Sequence, residues 1–192
     1  MIEVEIRAKI EDINLIRGKI LSLGAIHIKT EKQTDKIFGR LEDLDENHKI
    51  IEGHFSARIR QKADKILVEF KEIRRTGAGL EFSSSVHRIE DGVYLLEKLG
   101  YEEAFTVSKT RDLYKLREFE ICLDQVDKLG NYIEIEHSAK DGDQKEKAIK
   151  ECEDLLFEID QKTIVEPKKY GDLMQELINQ NEVKTKDKKV GV

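Results

Sequence analysis

From Ile2 to Ile10 apolar and charged residues alternate without exception: Ile2, Val4, Ile6, Ala8 and Ile10 are apolar, and Glu3, Glu5, Arg7 and Lys9 are charged. A period of two predicts a strand with one apolar and one ionic face. The period then changes. Ile13, Ile16, Ile20 and Leu23 share one helical face, with Asp12 placed to cap the N-terminus and Gly24 the C-terminus, which predicts an amphipathic helix over 12–23. Residues 25–38 read as a strand pair, followed by a polar, acidic and mobile loop from Leu41 to Gly53. A hairpin is expected around Lys62-Ala63-Asp64, joining strands at 54–60 and 65–74, and a further strand at 80–87 follows the turn residues Thr76 to Gly79.

Val93, Leu95, Leu96 and Leu99 before Gly100 predict a short helix. Tyr101 to Val126 holds two more strands and Gly130 to His137 the last. Asp143 and Glu146 resemble a capping box for a helix that buries Ala148, Cys152, Leu155, Leu156 and Ile159. A final helix follows Pro167 with Leu173, Met174, Leu177 and Ile178. Residues 1–180 read as a single domain, and 181–192, lysine-rich with little to bury, as a disordered tail.

Charge changes the picture more than length does. The 192 residues carry 34 Lys and Arg against 40 Asp and Glu, a net charge of −6, and the charged fraction equals the hydrophobic one at 39%. A net acidic chain argues against gripping nucleic acid by overall charge. No apolar run is long enough to span a bilayer and the start lacks the order of a signal peptide, so a cytoplasmic protein with no membrane partner is expected. Cys122 and Cys152 are too few for a disulfide framework and too far apart for a zinc knuckle, and both read as buried, reduced thiols. His27, His48, His54, His87 and His137 show no metal-ligand spacing, and no Gly-rich phosphate loop or nucleophile motif occurs.

The informative charges lie inside strands. Arg58 and Arg60 flank Ile59, Glu69 and Lys71 flank Phe70, Lys109 and Arg111 flank Thr110, and Glu134 and Glu136 flank Ile135. Each spacing puts both charges on one face. A single such face can simply meet water. Repeated same-sign pairs, however, repel along a strand unless an opposite charge sits between them. If the sheet curls into an antiparallel barrel, the faces line a lumen with acids at Glu3, Glu5, Glu81, Asp124, Glu134 and Glu136 and bases at Arg7, Lys9, Arg58, Arg60, Lys71, Lys109 and Arg111. Carboxylates hold divalent metal through hard oxygens, and guanidinium and ammonium groups bind phosphate. Such a lumen suits a polyphosphate, and a buried ionic interior without a ligand is costly.

These residues resemble the CYTH family, the triphosphate tunnel metalloenzymes that include class IV adenylyl cyclases and thiamine triphosphatases. Glu3-Val4-Glu5-Ile6-Arg7 is similar to the family's Glu-x-Glu-x-Lys signature, with Arg7 in place of Lys and Lys9 one step further on the same face. A guanidinium there clamps phosphate but does not accept a proton. The resemblance continues through Arg58-Ile59-Arg60, Lys71, Val107-Ser108-Lys109-Thr110-Arg111, Leu123-Asp124 and Leu129 to Glu136. Pro167 to Leu173 is similar to the Pro-x-Ser-Tyr-x-Asp-Leu-Leu segment of the cyclase-like branch, with Lys169 in place of Ser.

The resemblance implies an α+β fold: a closed eight-stranded antiparallel β-barrel, the triphosphate tunnel, with helices packed outside. It implies Mg or Mn held by Glu3, Glu5, Glu134 and Glu136, with Glu81 or Asp124 assisting, and a small-molecule triphosphate bound by Arg7, Lys9, Arg58, Arg60, Lys71, Lys109 and Arg111. The catalytic positions it implies are Arg7, Lys9, Lys71 and Lys109. The expected reaction is conversion of ATP to cyclic AMP and pyrophosphate. The alternatives are a triphosphatase acting on tripolyphosphate, a nucleoside triphosphate or thiamine triphosphate, and a non-catalytic polyphosphate-binding or nucleotide-binding module. Barrels of this kind pair by helix or strand edges, so a homodimer is expected.

Overall fold

The computed structural model describes residues 2–63, 65–74, 80–139 and 144–190, without the side chains of residues 2, 3, 139 and 182–190. Eight strands are present: β1 (Ile2–Ile10), β2 (Ile26–Gly39), β3 (Phe55–Lys62), β4 (Lys65–Glu72), β5 (Glu81–Val86), β6 (Glu102–Leu116), β7 (Phe119–Val126) and β8 (Gly130–Ala139). Four α-helices accompany them: α1 (Ile13–Ser22), α2 (Ile89–Lys98), α3 (Lys145–Ile159) and α4 (Tyr170–Val190). The strands form an antiparallel sheet in the order β1-β8-β7-β6-β2-β3-β4-β5. The chain divides into two compact units, Met1–Gln33 with Ser108–Pro167, and Thr34–Val107 with Lys168–Val192. The long strands β2 and β6 contribute to both.

In the first unit β1 pairs with β8 from Ile2↔Ala139 to Ile10↔Asn131, β8 with β7, and β7 with β6. The alternation of β1 appears as burial: Val4, Ile6, Ala8 and Ile10 join a core with Ile121, Leu123, Ile133 and Ile135 from the strands. Helices α1 and α3 complete that core with Ile13, Ile16, Ile20, Ala148, Cys152, Leu155, Leu156 and Ile159, the residues that helical spacing selects. Burying each large apolar side chain contributes about 1.5–3 kcal/mol. The Asp12 side chain accepts hydrogen bonds from the N–H groups of Asn14 and Leu15, capping α1 as expected. At the other end Gly24, at φ +92°, permits the Ala25 N–H to reach the Ile20 carbonyl.

The second unit is built on β3, β4 and β5, with Phe55↔Glu72 through Lys62↔Lys65 and Ile66↔Val86 through Lys71↔Glu81 in register. Its core is Phe38, Ala57, Ile59, Val68, Leu96 and Tyr101. Helix α2 approaches β3 and β4 at Gly92, where an added Cβ would stand 3.1 Å from Ile59 and Val68 side-chain carbons. Residue 92 thus sets how close that helix can lie.

The structure corrects several expectations. Residues 26–39 are one fourteen-residue strand, not a strand pair. The acidic loop holds a 3-10 turn at Leu41–Asp43, in which the buried Asp43 accepts from Arg40 Nε at 2.8 Å and contacts His54 Nδ1 at 2.6 Å. The sheet order ends at β1 and β5, with no pairing between them among the described residues, so the expected closed barrel is an open eight-stranded sheet. The free edge of β1 is covered instead by the segment before α4: Ala8 bridges Val165, and the Glu166 N–H donates to the Arg7 carbonyl at 2.6 Å. Helix α4 continues to Val190, into the segment whose composition predicts disorder; Glu and Lys there are good helix formers. The expected turn at Thr76–Gly79 and the capping role of Asp143 lie outside the described residues. No helix among the described residues is long and apolar enough to cross a membrane.

Candidate functional site

On the face of the first unit opposite its core, β1, β6, β7 and β8 bring seven charged residues together. Register sets the arrangement. Arg7 lies opposite Glu134 and Glu5 opposite Glu136 across β1 and β8, and Arg111 lies opposite Asp124 across β6 and β7. Arg7 Nε donates to Glu134 Oε1 at 2.6 Å and its terminal nitrogen to Glu5 Oε1 at 2.5 Å. Arg111 donates as a fork to Asp124, at 2.7 and 2.6 Å, and also to Glu134. Lys109 Nζ donates to Asp124 Oδ2 at 2.7 Å. Lys109 and Arg111 are thus offset by Asp124 from the neighbouring strand, and Glu134 by Arg7, as the repulsion argument requires, whereas Glu136 faces Glu5 and Glu120.

The burial of these charges is unusual. Asp124 is 0% exposed, Glu134 2% and Lys109 8%. Burial pushes the Asp124 carboxyl upward, but the Arg111 hydrogen bonds and the Lys109 and Arg111 charges outweigh it and hold the group below its ordinary range. Burial likewise opposes ionisation of Glu134, and Arg111, Lys109 and Arg7 overcome it. Burial also disfavours the Arg111 cation, yet Asp124 and Glu134 keep it firmly charged. Glu5 differs: the loss of hydration, with the Glu134 charge next, raises its carboxyl despite Arg7.

A pH dependence follows. Carboxylates whose folded pKa is depressed contribute stability that is present above the unfolded value and is lost as pH falls through the folded one. The Asp124 and Glu134 contributions are therefore complete near neutrality and begin to fade as pH falls to about 4. Urea denaturation at pH 7, 5 and 3 is expected to show the midpoint falling mainly in the last interval.

The second unit has its own charged face. Arg60 donates as a fork to Asp35, at 2.8 and 2.6 Å, and Arg58 Nε donates to Glu69 Oε2 at 2.5 Å. Lys71 bonds Glu81, its direct partner across β4 and β5. Burial raises the Glu81 carboxyl, but the Lys71 hydrogen bond and charge outweigh it and the group lies below its usual range.

The residues expected from the sequence therefore fall into distinct places. Glu5, Arg7, Lys109, Arg111, Asp124, Glu134 and Glu136 are assembled in the first unit; Arg58, Arg60, Lys71 and Glu81 lie in the second. Lys9 is not brought into the first cluster. It sits one step beyond Arg7 in register, opposite Tyr132, where its exposed side chain reaches over the ring at 5.9 Å. Glu3 lies in β1 opposite Ser138, and its side chain is outside the described residues. Three participants were not anticipated: Asp35, Glu69 as a partner rather than a bystander, and Cys122, whose sulfur lies within 4.8 Å of Glu134 and Glu136 carboxylate oxygens. Cys122 shares a strand face with Asp124 by the period of two, which is the signal that could have placed it. Burial pushes its thiol well above the ordinary range.

The donor chemistry of the first cluster fits a hard divalent cation. Three cations, Arg7, Lys109 and Arg111, face four carboxylates, Glu5, Asp124, Glu134 and Glu136. Asp124 is fully buried and bonded to both Arg111 and Lys109, so it orients these cations. Glu5, Glu134 and Glu136 are the residues suited to hold such a cation through oxygen.

Comparison with known proteins gives a consistent family. The CYTH domain matches residues 1–187. A Methanocaldococcus jannaschii protein named as a putative adenylate cyclase is 31% identical over 165 residues, 81% of this chain and 88% of that protein. The Pyrococcus horikoshii protein PH1012 has a similar structure, with a TM-score of 0.71 and 25% identity over 88% of this chain and 97% of its own. A Hippeastrum protein described as an adenylyl cyclase by name with a dominant triphosphatase activity shares the fold at a TM-score of 0.66 and 17% identity, over 91% of this chain and 94% of that one. The ordered charges of β1, β6, β7 and β8 and the match across nearly the whole chain lead to one conclusion: the chain belongs to the CYTH domain family.

Proposed function

We propose that this protein is a metal-dependent enzyme acting on a linear triphosphate, and that its reaction is the adenylyl cyclase one, converting ATP to cyclic AMP and pyrophosphate. The observation that carries the reading is the interleaved face of the first unit, where buried Asp124 and Glu134 hold Arg111, Arg7 and Lys109. An ionic cluster of this depth gives little net stability over an apolar one, so a ligand that uses its charges accounts for it better. Cyclase chemistry is favoured over hydrolysis by the name carried by the 31% identical relative.

In this reading Glu5, Glu134 and Glu136 hold Mg or Mn, which when bound neutralises phosphate charge and polarises a phosphoryl oxygen. Arg7, Arg111 and Lys109 turn from their carboxylates to the phosphate oxygens, through charge-assisted and, for arginine, bidentate bonds. Asp124 fixes the direction of Lys109 and Arg111. Arg58, Arg60 and Lys71 on the second unit offer phosphate the same chemistry. The residues contribute mainly position and charge, which is what phosphoryl transfer chiefly requires. A second reading, triphosphatase, is favoured by the activity described for the Hippeastrum protein; there water rather than the ribose 3′-hydroxyl is the nucleophile.

Product analysis separates the two. With Mg or Mn, ATP is expected to give cyclic AMP and pyrophosphate. Phosphate released from tripolyphosphate, ATP or thiamine triphosphate without cyclic AMP would move the assignment to hydrolysis. No product from any of the three would remove the enzyme reading.

A further inference from the structure

The ionic face contains one donor that phosphate chemistry does not use. Cys122 lies on β7 directly opposite Glu134 and two residues before Asp124. It is 1% exposed, and no described residue hydrogen bonds its thiol. Its sulfur and one oxygen each of Glu134 and Glu136 all lie within 4.8 Å of one another. The other cysteine, Cys152, sits on α3 in the apolar core.

We propose that Cys122, Glu134 and Glu136 form a binding site for a thiophilic divalent cation of the zinc and cobalt class. Magnesium takes oxygen ligands and keeps its water, whereas sulfur selects zinc, cobalt and their neighbours. In a tetrahedral site with sulfur and oxygen ligands the donor atoms stand roughly 3.5 Å apart. Rotation of the two glutamate side chains closes the difference from the present spacing. Glu134 already accepts from Arg7 and Arg111, but a carboxylate offers about four lone-pair sites, enough for a metal as well. On binding, the S–H bond breaks, the sulfur electron pair goes to the metal and the proton leaves to solvent. Two carboxylates and a thiolate then face one dication, with Arg111 standing 3.8 Å from Glu136 to offset the remaining charge. The site does not depend on the triphosphate reading. One consequence does: zinc would occupy Glu134 and Glu136, the residues that reading gives to Mg or Mn, and so compete with them.

Cobalt(II) titration of the full chain tests the site, with triphosphate and other divalent cations absent. The expected result is a saturable near-ultraviolet thiolate-to-cobalt charge-transfer band, displaced by zinc, retained in Cys152→Ser and abolished in Cys122→Ser. Glu136→Gln is expected to weaken cobalt binding at least about tenfold, the lower end of what losing a supporting hydrogen bond costs a metal site. No charge-transfer band in the wild type, or a band that survives in Cys122→Ser, overturns the proposal. Should circular dichroism show that the serine variant does not fold, Glu136→Gln decides: unchanged cobalt affinity there overturns it equally. Turnover of ATP and tripolyphosphate in Mg is measured separately, so the metal site and the triphosphate reading can each fail alone.

Discussion

Replacing Arg111 with leucine is expected to destabilise the protein by roughly 3–5 kcal/mol, the cost of removing one partner from a buried charge network, and to abolish turnover. Arg111 bonds both Asp124 and Glu134. Without it Asp124, fully buried, keeps Lys109, and Glu134 keeps Arg7, leaving the face with excess buried negative charge. The sign with pH is fixed by the depressed Asp124 and Glu134 carboxyls. The wild type's advantage is full above the ordinary carboxylate range and fades as pH falls through the folded values, because protonated carboxyls no longer need the guanidinium. Urea denaturation of both proteins at pH 7 and pH 3 should therefore show a large difference that narrows in acid. Arg111→Lys is expected to fall between them, since an ammonium keeps the charge but not the fork. A loss under about 1 kcal/mol at pH 7, the scale of an exposed pair, would show that the network is not what holds this face.

Glu136→Gln is expected to do the opposite: little to the fold and much to the reaction. Glu136 stands directly opposite both Glu5 on β1 and Glu120 on β7, and like charges so placed repel. Its ion pair with Arg111 is long at 3.8 Å and its side chain is 19% exposed. Removing the charge should change stability by less than about 1 kcal/mol. As a donor to the divalent cation, however, it should matter greatly. Turnover at limiting Mg or Mn is expected to fall by about 10² to 10³, the scale set by loss of one electrostatic contact to a transition state, with partial recovery at high metal. A variant with wild-type turnover at every metal concentration would remove Glu136 from the metal-binding set.

Much of this site was legible because β-strands encode faces locally. The alternation from Ile2 to Ile10 assigned Val4, Ile6 and Ala8 to the core and Glu5 and Arg7 to the other side, and the structure places them so. The i, i+2 pairs Lys109/Arg111 and Glu134/Glu136 needed no tertiary information to be put on one face. The buried stripe of α3 followed from helical spacing in the same way.

What failed depended on partners distant in sequence. Lys9 shares the face of Arg7, but only the β1–β8 register reveals that it meets Tyr132 rather than a carboxylate. Asp35 was invisible as a partner of Arg60 while residues 25–38 read as two strands, because a break there loses the period that carries it into the pairing. Cys122 reads from its type as a buried, reduced thiol, which it is, and only its period with Asp124 puts it on the ionic face. Sheet closure rests on edges, and nothing in the sequence of β1 says that Val165 will bridge Ala8.

The face built from Arg7, Arg111, Glu134 and Glu136 is expected to bind a triphosphate together with a divalent cation. Calorimetric titration of tripolyphosphate into the protein, with Mn and with EDTA, tests it most directly. Saturable binding at least tenfold tighter with Mn, about 1.4 kcal/mol, is expected, because the cation and the anion each free the partner that the other needs. Binding of equal strength with and without the metal, or no binding at all, would contradict it.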